Sequence, residues 1–212
     1  MVNMALLDDL RPGATVISSD GKKVGRLHAV VIDSRDDEVT HVVVNTGPFF
    51  PEPAFGVPKL VSLPIEEMAD ARGKKVILKC TKKKLSLAPV YAEWSFTQPM
   101  APGTWRMEAM VGAWRIPVPT EIIHKRQFER EIMRGAYVWR VEPNTEIGDV
   151  DRVLVDERTG RVEGLVIRRG HLFGREVILP IVKVVDFVGD VVHVDITDEE
   201  LQALEEFRPP SD

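Results

Sequence analysis

The stretch IGDVDRVLVDERTGRVEGLVIRRG, residues 147–170, decides the fold because the chain contains a second version of it. Residues 24–47, VGRLHAVVIDSRDDEVTHVVVNTG, align with it without a gap at a constant offset of 123 positions. The matching positions include Gly25 with Gly148, Asp33 with Asp156, Val44 with Ile167 and Gly47 with Gly170. The chain therefore carries one structural unit twice.

The likeness continues beyond these stretches. LVSLPIEEM, residues 60–68, matches EVILPIVKV, residues 176–184, at an offset of 116. The first copy has seven extra residues, which fall in GPFFPEPAFGVPK, residues 47–59. The repeats cover residues 12–91 and 135–207, so we assign a first domain to residues 1–91, a linker to 92–134 and a second domain to 135–212.

Both copies have the pattern of β-structure. Short runs rich in Val and Ile alternate with turn signals such as SSDG and DERTG. The apolar positions Leu27, Val30 and Ile32 change phase midway, which indicates a β-bulge or a bend. Several short, bent strands in so few residues predict a small barrel or sandwich, because an open sheet edge invites aggregation.

A short helix is predicted at the end of the second copy. Thr197 and Glu200 have the spacing of a capping box, and Leu201 and Leu204 share one face. The first copy has lysines at residues 82–84 instead. Because positive charge opposes the helix dipole at an N-terminus, we expect its helix to be weaker or absent.

The ordered series of motifs resembles the PRC-barrel family. The series runs from DGKKVGRL through a strand ending in Asp and a polar turn to VTHVVV or VEGLVI, and then RRGHLFGREVILPI. This small β-barrel is shared by the photosynthetic reaction-centre H subunit and the C-terminal half of the ribosome maturation factor RimM. The resemblance implies an all-β chain of two PRC-type barrels in tandem. The linker lies outside the resemblance, and we expect it to be ordered because it is rich in Trp and Met. The resemblance implies binding and scaffolding, without a shared catalytic centre.

The amino-acid composition limits the classes of protein to which the chain could belong. The chain has 212 residues and a net charge of −5, which gives no reason to expect tight nucleic-acid binding by the chain as a whole. Cys80, the only cysteine, excludes an intrachain disulfide and is expected to be a small buried residue. We expect a cytoplasmic protein without a membrane span, since the chain has no signal peptide and no run of about 18 apolar residues.

The acids of the stretch 147–170 could form a metal or acid/base site, or the solvated side of a hairpin. Asp149 and Asp151 correspond to Arg26 and His28, and only Asp156 keeps its acidic counterpart. We therefore interpret them as the solvated side of a hairpin, with the turn Asp bonding backbone amides. Among the histidines, His28 and His41 could meet across one hairpin, but no metal-binding spacing occurs. We expect no metal, no cofactor and no catalytic residue.

Charge differs between the copies. Residues 12–91 hold 12 Lys and Arg against 9 Asp and Glu, a net charge of +3, whereas residues 135–207 hold 8 against 16, a net charge of −8. Such opposite charges could attract head-to-tail, or could have drifted freely after duplication. The dense basic region is interpreted as a solvated face or as an RNA or acidic-protein contact. The residues of this basic contact are Lys74, Lys75, Lys82, Lys83 and Lys84.

Large aromatic residues lie outside the repeat, in the linker and in the insertion. Because a mere spacer would be polar, they must be buried within the chain, in a homodimer or in a partner, or line a ligand pocket. The sequence thus predicts a non-catalytic protein-binding adaptor, with protein partners or self-association. An RNA- or ribosome-associated assembly factor using Lys74–Lys84 is the alternative. The predicted interface residues are Phe49, Phe50, Phe55, Trp105 and Trp114.

Overall fold

The chain folds into two β-sheets, each built mainly from one repeat. The computed structural model describes residues 9–47, 59–72, 74–97, 118–123, 128–156, 158–170 and 174–208. The elements of the first half are β1 (Asp9–Leu10), β2 (Thr15–Ile17), β3 (Lys23–Asp33), β4 (Glu38–Asn45), β5 (Leu60–Pro64), β6 (Met68–Arg72), β7 (Lys75–Leu78), α1 (Lys82–Leu85) and β8 (Val90–Thr97). Those of the second half are β9 (Val118–Ile123), β10 (Glu129–Met133), β11 (Tyr137–Arg140), β12 (Thr145–Val155), β13 (Val162–Arg169), β14 (Arg175–Pro180), β15 (Val184–Val188), β16 (Val191–Val194) and α2 (Asp198–Gln202).

The two repeats have the same strand order. The first sheet runs β6-β7-β2-β3-β4-β5, and the second runs β15-β16-β11-β12-β13-β14. In both, a one-turn 3-10 helix follows the Leu-Pro pair, at Ile65–Glu67 and Ile181–Lys183. The predicted all-β repeat is confirmed strand by strand.

The long second strand of each repeat bends at a bulge. Its pairing register shifts between Leu27 and Ala29, and in the second repeat between Val150 and Arg152. The phase change in the sequence predicted this bulge. Just before it, Gly25 lies so close to β4 that an added Cβ would stand 2.3 Å from the carbonyl oxygen of Asn45. At Gly148 the corresponding distance to the carbonyl oxygen of Arg168 is 2.4 Å, so both repeats require glycine at this position.

One strand from outside each repeat pairs with the other repeat. β1, which leads into the first repeat, pairs antiparallel with β12 of the second. β10, which leads into the second repeat, pairs antiparallel with β3 of the first. Leu10 and Ile132 are both fully buried in a single apolar core with members from both repeats. The two repeats are therefore one folding unit around an approximate two-fold relation.

The hairpin turns of the two repeats also pair with each other. The amide of Val39 donates a hydrogen bond of 3.0 Å to the carbonyl oxygen of Gly160. The amide of Val162 donates one of 2.9 Å to the carbonyl oxygen of Asp37. Since Val39 corresponds to Val162 and Asp37 to Gly160, the contact has the same two-fold relation as the exchanged strands.

Short helices close both repeats. α2 has the predicted capping box, in which Thr197 and Glu200 satisfy each other's backbone amides. The first repeat's helix is present, but α1 has four residues and no capping box, whereas α2 has five residues and a capping box. This difference is in line with the expectation of a weaker helix in the first repeat. Thr81 accepts a hydrogen bond from the amide of Lys84, and the Asp20 carboxylate accepts one from the amide of Lys82. These acceptors offset the unfavourable lysine charges. Within the described residues, none of the helices has the length and apolar character needed to cross a membrane.

Candidate functional site

The linker contributes strands to the first sheet. β8 pairs with β5 and β9 pairs with β8, while β10 pairs with β3. In the second repeat the position of β8 is taken by residues 205–207, which hydrogen-bond with β14. The predicted interface residues Phe49, Phe50, Phe55, Trp105 and Trp114 all lie outside the described residues, so their role stays a prediction.

The outer faces of the two repeats differ on the three strands β11, β16 and β15. Tyr137 is the register partner of Val191, and Val191 is the partner of Val188. Directly paired residues project on the same side of a sheet. The next residues along the two strands, Val138 and Val192, are buried in the core, so Tyr137 and Val191 point outwards. Tyr137, Val191 and Val188 therefore form an apolar row across the outside of the second repeat.

The two ends of this row are strongly exposed, and Val191 between them is half-buried. Tyr137 is 47% exposed and Val188 is 58% exposed, and β15 adds Val185 at 59%. The adjoining 3-10 turn adds Val182 at 83%. We call Tyr137, Val182, Val185, Val188 and Val191 together the apolar face. Large apolar residues grouped on an exposed sheet mark an interaction surface.

The first repeat has no such face at the equivalent positions. Tyr137, Val191 and Val188 correspond in sequence and in strand register to Thr15, Lys75 and Arg72. Val182 and Val185 correspond to Glu66 and Ala69. One fold thus presents an apolar surface in one copy and a polar one in the other, so the barrel itself does not require the apolar face.

A polar row borders the apolar face. Trp139 is the register partner of His193, and His193 is the partner of Asp186. The Nδ1 atom of His193 lies 2.6 Å from the Oδ1 atom of Asp186. Asp190, in the turn between β15 and β16, is also exposed. The border of the apolar face is therefore acidic.

The predicted basic contact is partly neutralised. Lys74, Lys75, Lys83 and Lys84 are exposed and Lys82 is half-buried. The Nζ atom of Lys84 lies 2.6 Å from the Oε1 atom of Glu67, and this hydrogen bond raises the pKa of Lys84. These lysines lie on β7, on the turn before it and on α1.

The same ion pair occurs in the second repeat with its charges exchanged. The Nζ atom of Lys183 lies 2.6 Å from the Oε1 atom of Glu200. Lys183 corresponds to Glu67 and Glu200 to Lys84. Both repeats have an ion pair at these two positions, but the acidic and basic residues are interchanged.

The turn aspartates behave as the sequence indicated. The Oδ1 atom of Asp156 accepts hydrogen bonds from the amides of Arg158 and Thr159, at 2.7 and 3.0 Å, and these bonds lower its pKa. Asp33 accepts from the amide of Arg35 at 3.0 Å, and the guanidinium of Arg35 lowers the pKa of Asp33 to about 2. Both carboxylates stabilise a hairpin turn.

Asp151 does not fit the interpretation of a solvated hairpin. It occupies the bulge of β12 and is only 2% exposed. Its Oδ1 atom accepts from Arg11 at 2.9 Å and its Oδ2 atom accepts from Arg152 at 3.0 Å. Arg134 and Glu176 lie at the edge of the cluster, at 3.7 Å from Asp151 and 3.6 Å from Arg152. The prediction of solvent exposure is therefore wrong for Asp151.

The electrostatics of this cluster favour the ionised carboxylate. Burial alone would raise the pKa of Asp151, but the hydrogen bond and charge of Arg11, with those of Arg152, outweigh it and lower the pKa. The guanidinium of Arg152 also lies 4.6 Å from the ring centroid of Phe207. The cluster joins the N-terminal segment to the second repeat.

The first repeat fills the matching space with apolar residues. Ala29 takes the position of Arg152, and Tyr91 takes that of Phe207. Ala29 and Tyr91 belong to a small buried cluster on the outer side of the first sheet, together with Val31, Val43 and Leu60. The hydroxyl of Tyr91 donates a hydrogen bond to the carboxylate of Glu131 on β10. The cluster around Asp151 is thus specific to the second repeat.

His28 and His41 lie at different levels of their hairpin. His28 occupies the bulge of β3, whereas His41 is the register partner of Val31. Asp33 lies opposite Glu38 at the far end of the hairpin. In the described ranges, no three or more His, Cys, Asp or Glu residues form a group that could hold a metal ion. Cys80 is buried, as predicted, and burial raises the pKa of its thiol.

Among the residues singled out in the sequence, Tyr137 and Val188 are absent, and Asp151 is interpreted only as a solvated hairpin residue. A signal for the first two was present, since the alignment sets Tyr137 against Thr15 and Val188 against Arg72. No local signal marks Asp151, because its partner Arg11 is 140 residues away.

Strand order, the paired bulges and the closing helices define a protein of two small β-barrel modules in tandem. The PRC-barrel domain model matches residues 6–85 and 131–201. The chain belongs to the PRC-barrel family. No curated protein matches it.

Proposed function

We propose that this chain is a non-catalytic adaptor whose apolar face binds a partner protein. The observation that carries the proposal is the contrast between Tyr137, Val191 and Val188 and their counterparts Thr15, Lys75 and Arg72. An exposed apolar surface costs solubility, and the first repeat folds in the same way without one. Retaining it in one copy favours a binding role, in which Tyr137 would be the anchor.

The acidic border suggests the character of the partner. Two apolar faces packed against each other would bring Asp186 and Asp190 of both chains close together, and like charges at an interface are unfavourable. A surface with apolar residues inside a basic border complements the face better. We therefore propose a foreign protein of that chemistry acting in the cytoplasm, with self-association as the competing outcome.

The test compares variants that give the second repeat the residues of the first. Wild type, Tyr137→Thr and Val188→Arg would be used to purify partners from native cells, and each would be sedimented alone to measure self-association. Ile77→Arg is the matched control, since Ile77 is an exposed apolar residue of the first repeat, 39% exposed. We expect Tyr137→Thr and Val188→Arg to lose the same partner while Ile77→Arg keeps it. Unchanged partners and sedimentation in all variants would contradict the proposal.

The second candidate is an RNA- or ribosome-associated factor that uses the predicted basic contact. Its support is the exposure of Lys74, Lys75 and Lys83. It predicts RNA binding that weakens steeply with salt and disappears when residues 82–84 are changed to Glu. A flat salt dependence would exclude it. The ion pair between Lys84 and Glu67 reduces the charge available there, so we rank it second.

A further inference from the structure

A cavity of about 600 Å³ lies at one end of the second repeat. Its walls come from the start of β12, the end of β13, the start of β14 and α2. This volume is in the range of small-molecule sites. The apolar lining residues are Ile147, Val177, Leu201 and Leu204, and the charged ones are Arg140, Arg169, Arg175, Glu146 and Glu206.

Two of the arginines replace short hydroxyl residues of the first repeat. Arg140 corresponds to Ser18, and Arg169 corresponds to Thr46. Both hydroxyl residues are buried and satisfied locally, Ser18 by the Asp20 carboxylate at 2.6 Å and Thr46 by the Lys59 carbonyl oxygen at 2.9 Å. The second repeat therefore has long cationic side chains where the fold accepts small neutral ones.

Arg140 is the most buried charged residue of the lining. It is only 7% exposed, and its Nη1 atom donates to the Oδ1 atom of Asp198 at 2.5 Å. Its Nε atom is buried and has no hydrogen-bond acceptor among the described residues. A buried donor without an acceptor is costly, and in native proteins such a group calls for an explanation.

We propose that this cavity binds a small organic anion, with its carboxylate or phosphate head on Arg140 and Arg169 and its apolar body against Leu201 and Val177. A guanidinium group presents a planar fork of donors that matches these oxyanions. An anionic oxygen on the Nε atom of Arg140 would satisfy the orphan donor. The apolar wall would then cover the rest of the ligand.

The two carboxylates of the lining do not abolish the cavity's preference for an anion. Glu146 and Glu206 are exposed, so water screens their charge, whereas Arg140 is buried in a region of lower dielectric. The lining holds three guanidinium groups against two carboxylates, and Asp198 pairs with Arg140 from outside the lining. The charges are therefore nearly balanced, which fits a ligand with one anionic head and does not fit a polyanion.

The test uses the full chain labelled with ¹⁵N and follows the Nε–H signals of its arginines. Octyl phosphate, octanoate and inorganic phosphate are the probes. We expect a saturable shift of the Arg140 signal with at least one octyl probe, and the tighter of the two identifies the head group. Arg169→Thr copies the first repeat and leaves the Arg140–Asp198 pair intact. It should weaken binding by about tenfold or more.

Arg168→Thr is the matched control, because Arg168 is exposed and pairs with Asp149 outside the cavity, at 2.7 Å. It should bind the octyl probes as wild type does. No saturable shift, or equal weakening by Arg168→Thr and Arg169→Thr, would overturn the proposal. Inorganic phosphate binding as tightly as octyl phosphate would also overturn it, because the apolar wall would then contribute nothing.

Discussion

Leu10 pairs with Val153, a residue of the other repeat that lies 143 positions further along the chain. Ile132 pairs in the same way with Val30. Each repeat thus completes its sheet with the strand that leads into its neighbour. The stability of one repeat consequently depends on residues that belong, by sequence, to the other.

The first prediction concerns this exchange. Leu10→Ala should lower the free energy of unfolding by about 2–5 kcal/mol, because Leu10 is fully buried and its truncation leaves a cavity. Amide exchange at Val153 in β12 should accelerate although the substitution lies before the first repeat. Urea unfolding and hydrogen exchange measure the two effects. Leu87→Ala, at a residue 80% exposed, is the control and should change neither. If amide protection were lost only in the first repeat, the pairing of β1 with β12 would be contradicted.

The second prediction concerns the buried cluster. Asp151→Asn removes the charge that compensates Arg11 and Arg152, whose side chains are 18% and 5% exposed. Breaking a buried pair leaves an uncompensated charge, so we expect a loss of about 3–5 kcal/mol in urea unfolding. Asp149→Asn is the matched control, since its pair with Arg168 is partly solvated, and it should cost about 1 kcal/mol or less. Equal losses in both variants would show that the burial of Asp151 has no energetic weight.

The third prediction is the pH dependence of the same residue. The pKa of Asp151 is lowered in the folded state, so its contribution is present above the unfolded pKa of about 3.9 and is lost as the pH falls below that value. Wild type should lose stability more steeply than Asp151→Asn between about pH 4 and pH 2. Urea midpoints measured across this range test the difference. If the urea midpoints of wild type and Asp151→Asn fell equally with pH, the lowered pKa of Asp151 would be contradicted.

The fourth prediction uses the ion pair whose charges are exchanged between the repeats. Lys84→Glu alone should destabilise the protein, because it places two carboxylates together at Glu67. Adding Glu67→Lys reproduces the arrangement of Lys183 and Glu200 and gives Thr81 the capping-box partner that α1 lacks. The double variant should have a urea midpoint above that of wild type. A midpoint below that of Lys84→Glu would show that the geometries are not interchangeable.

The fifth prediction concerns the thiol. Cys80 is 3% exposed and burial raises the pKa of its thiol, so a disulfide reagent should react with it only as fast as the protein opens. In denaturant the reaction should be immediate. Leu10→Ala should speed the native reaction, because it lowers the cost of opening. Rapid reaction of the native wild type would contradict the burial of Cys80.

The sequence predicted the architecture because local requirements recur in both copies. Gly25 and Gly148 persist since a Cβ would clash with the neighbouring strand, and Asp33 and Asp156 persist since they bond turn amides. Apolar alternation showed the strands, and its change of phase showed the bulge. Such features depend on neighbours along the chain or on one adjacent strand, so a single sequence displays them.

The parts that the sequence did not reveal depend on distant partners. Nothing in a two-residue strand such as β1 says that it joins the sheet of the second repeat. Asp151 resembles any polar residue on a hairpin until Arg11 is placed beside it. The apolar face could have been found from the contrast between Tyr137 and Thr15.

The exchanged strands impose an order on folding during translation. Leu10 leaves the ribosome long before Val153 exists, and at about 5–20 residues per second the interval is roughly 7–30 s. During that time β1 has no sheet to join, and the first repeat lacks β10 until residue 133 has been added. Leu10 therefore stays without its core partners during this interval, and the last steps of folding must follow translation of the second repeat.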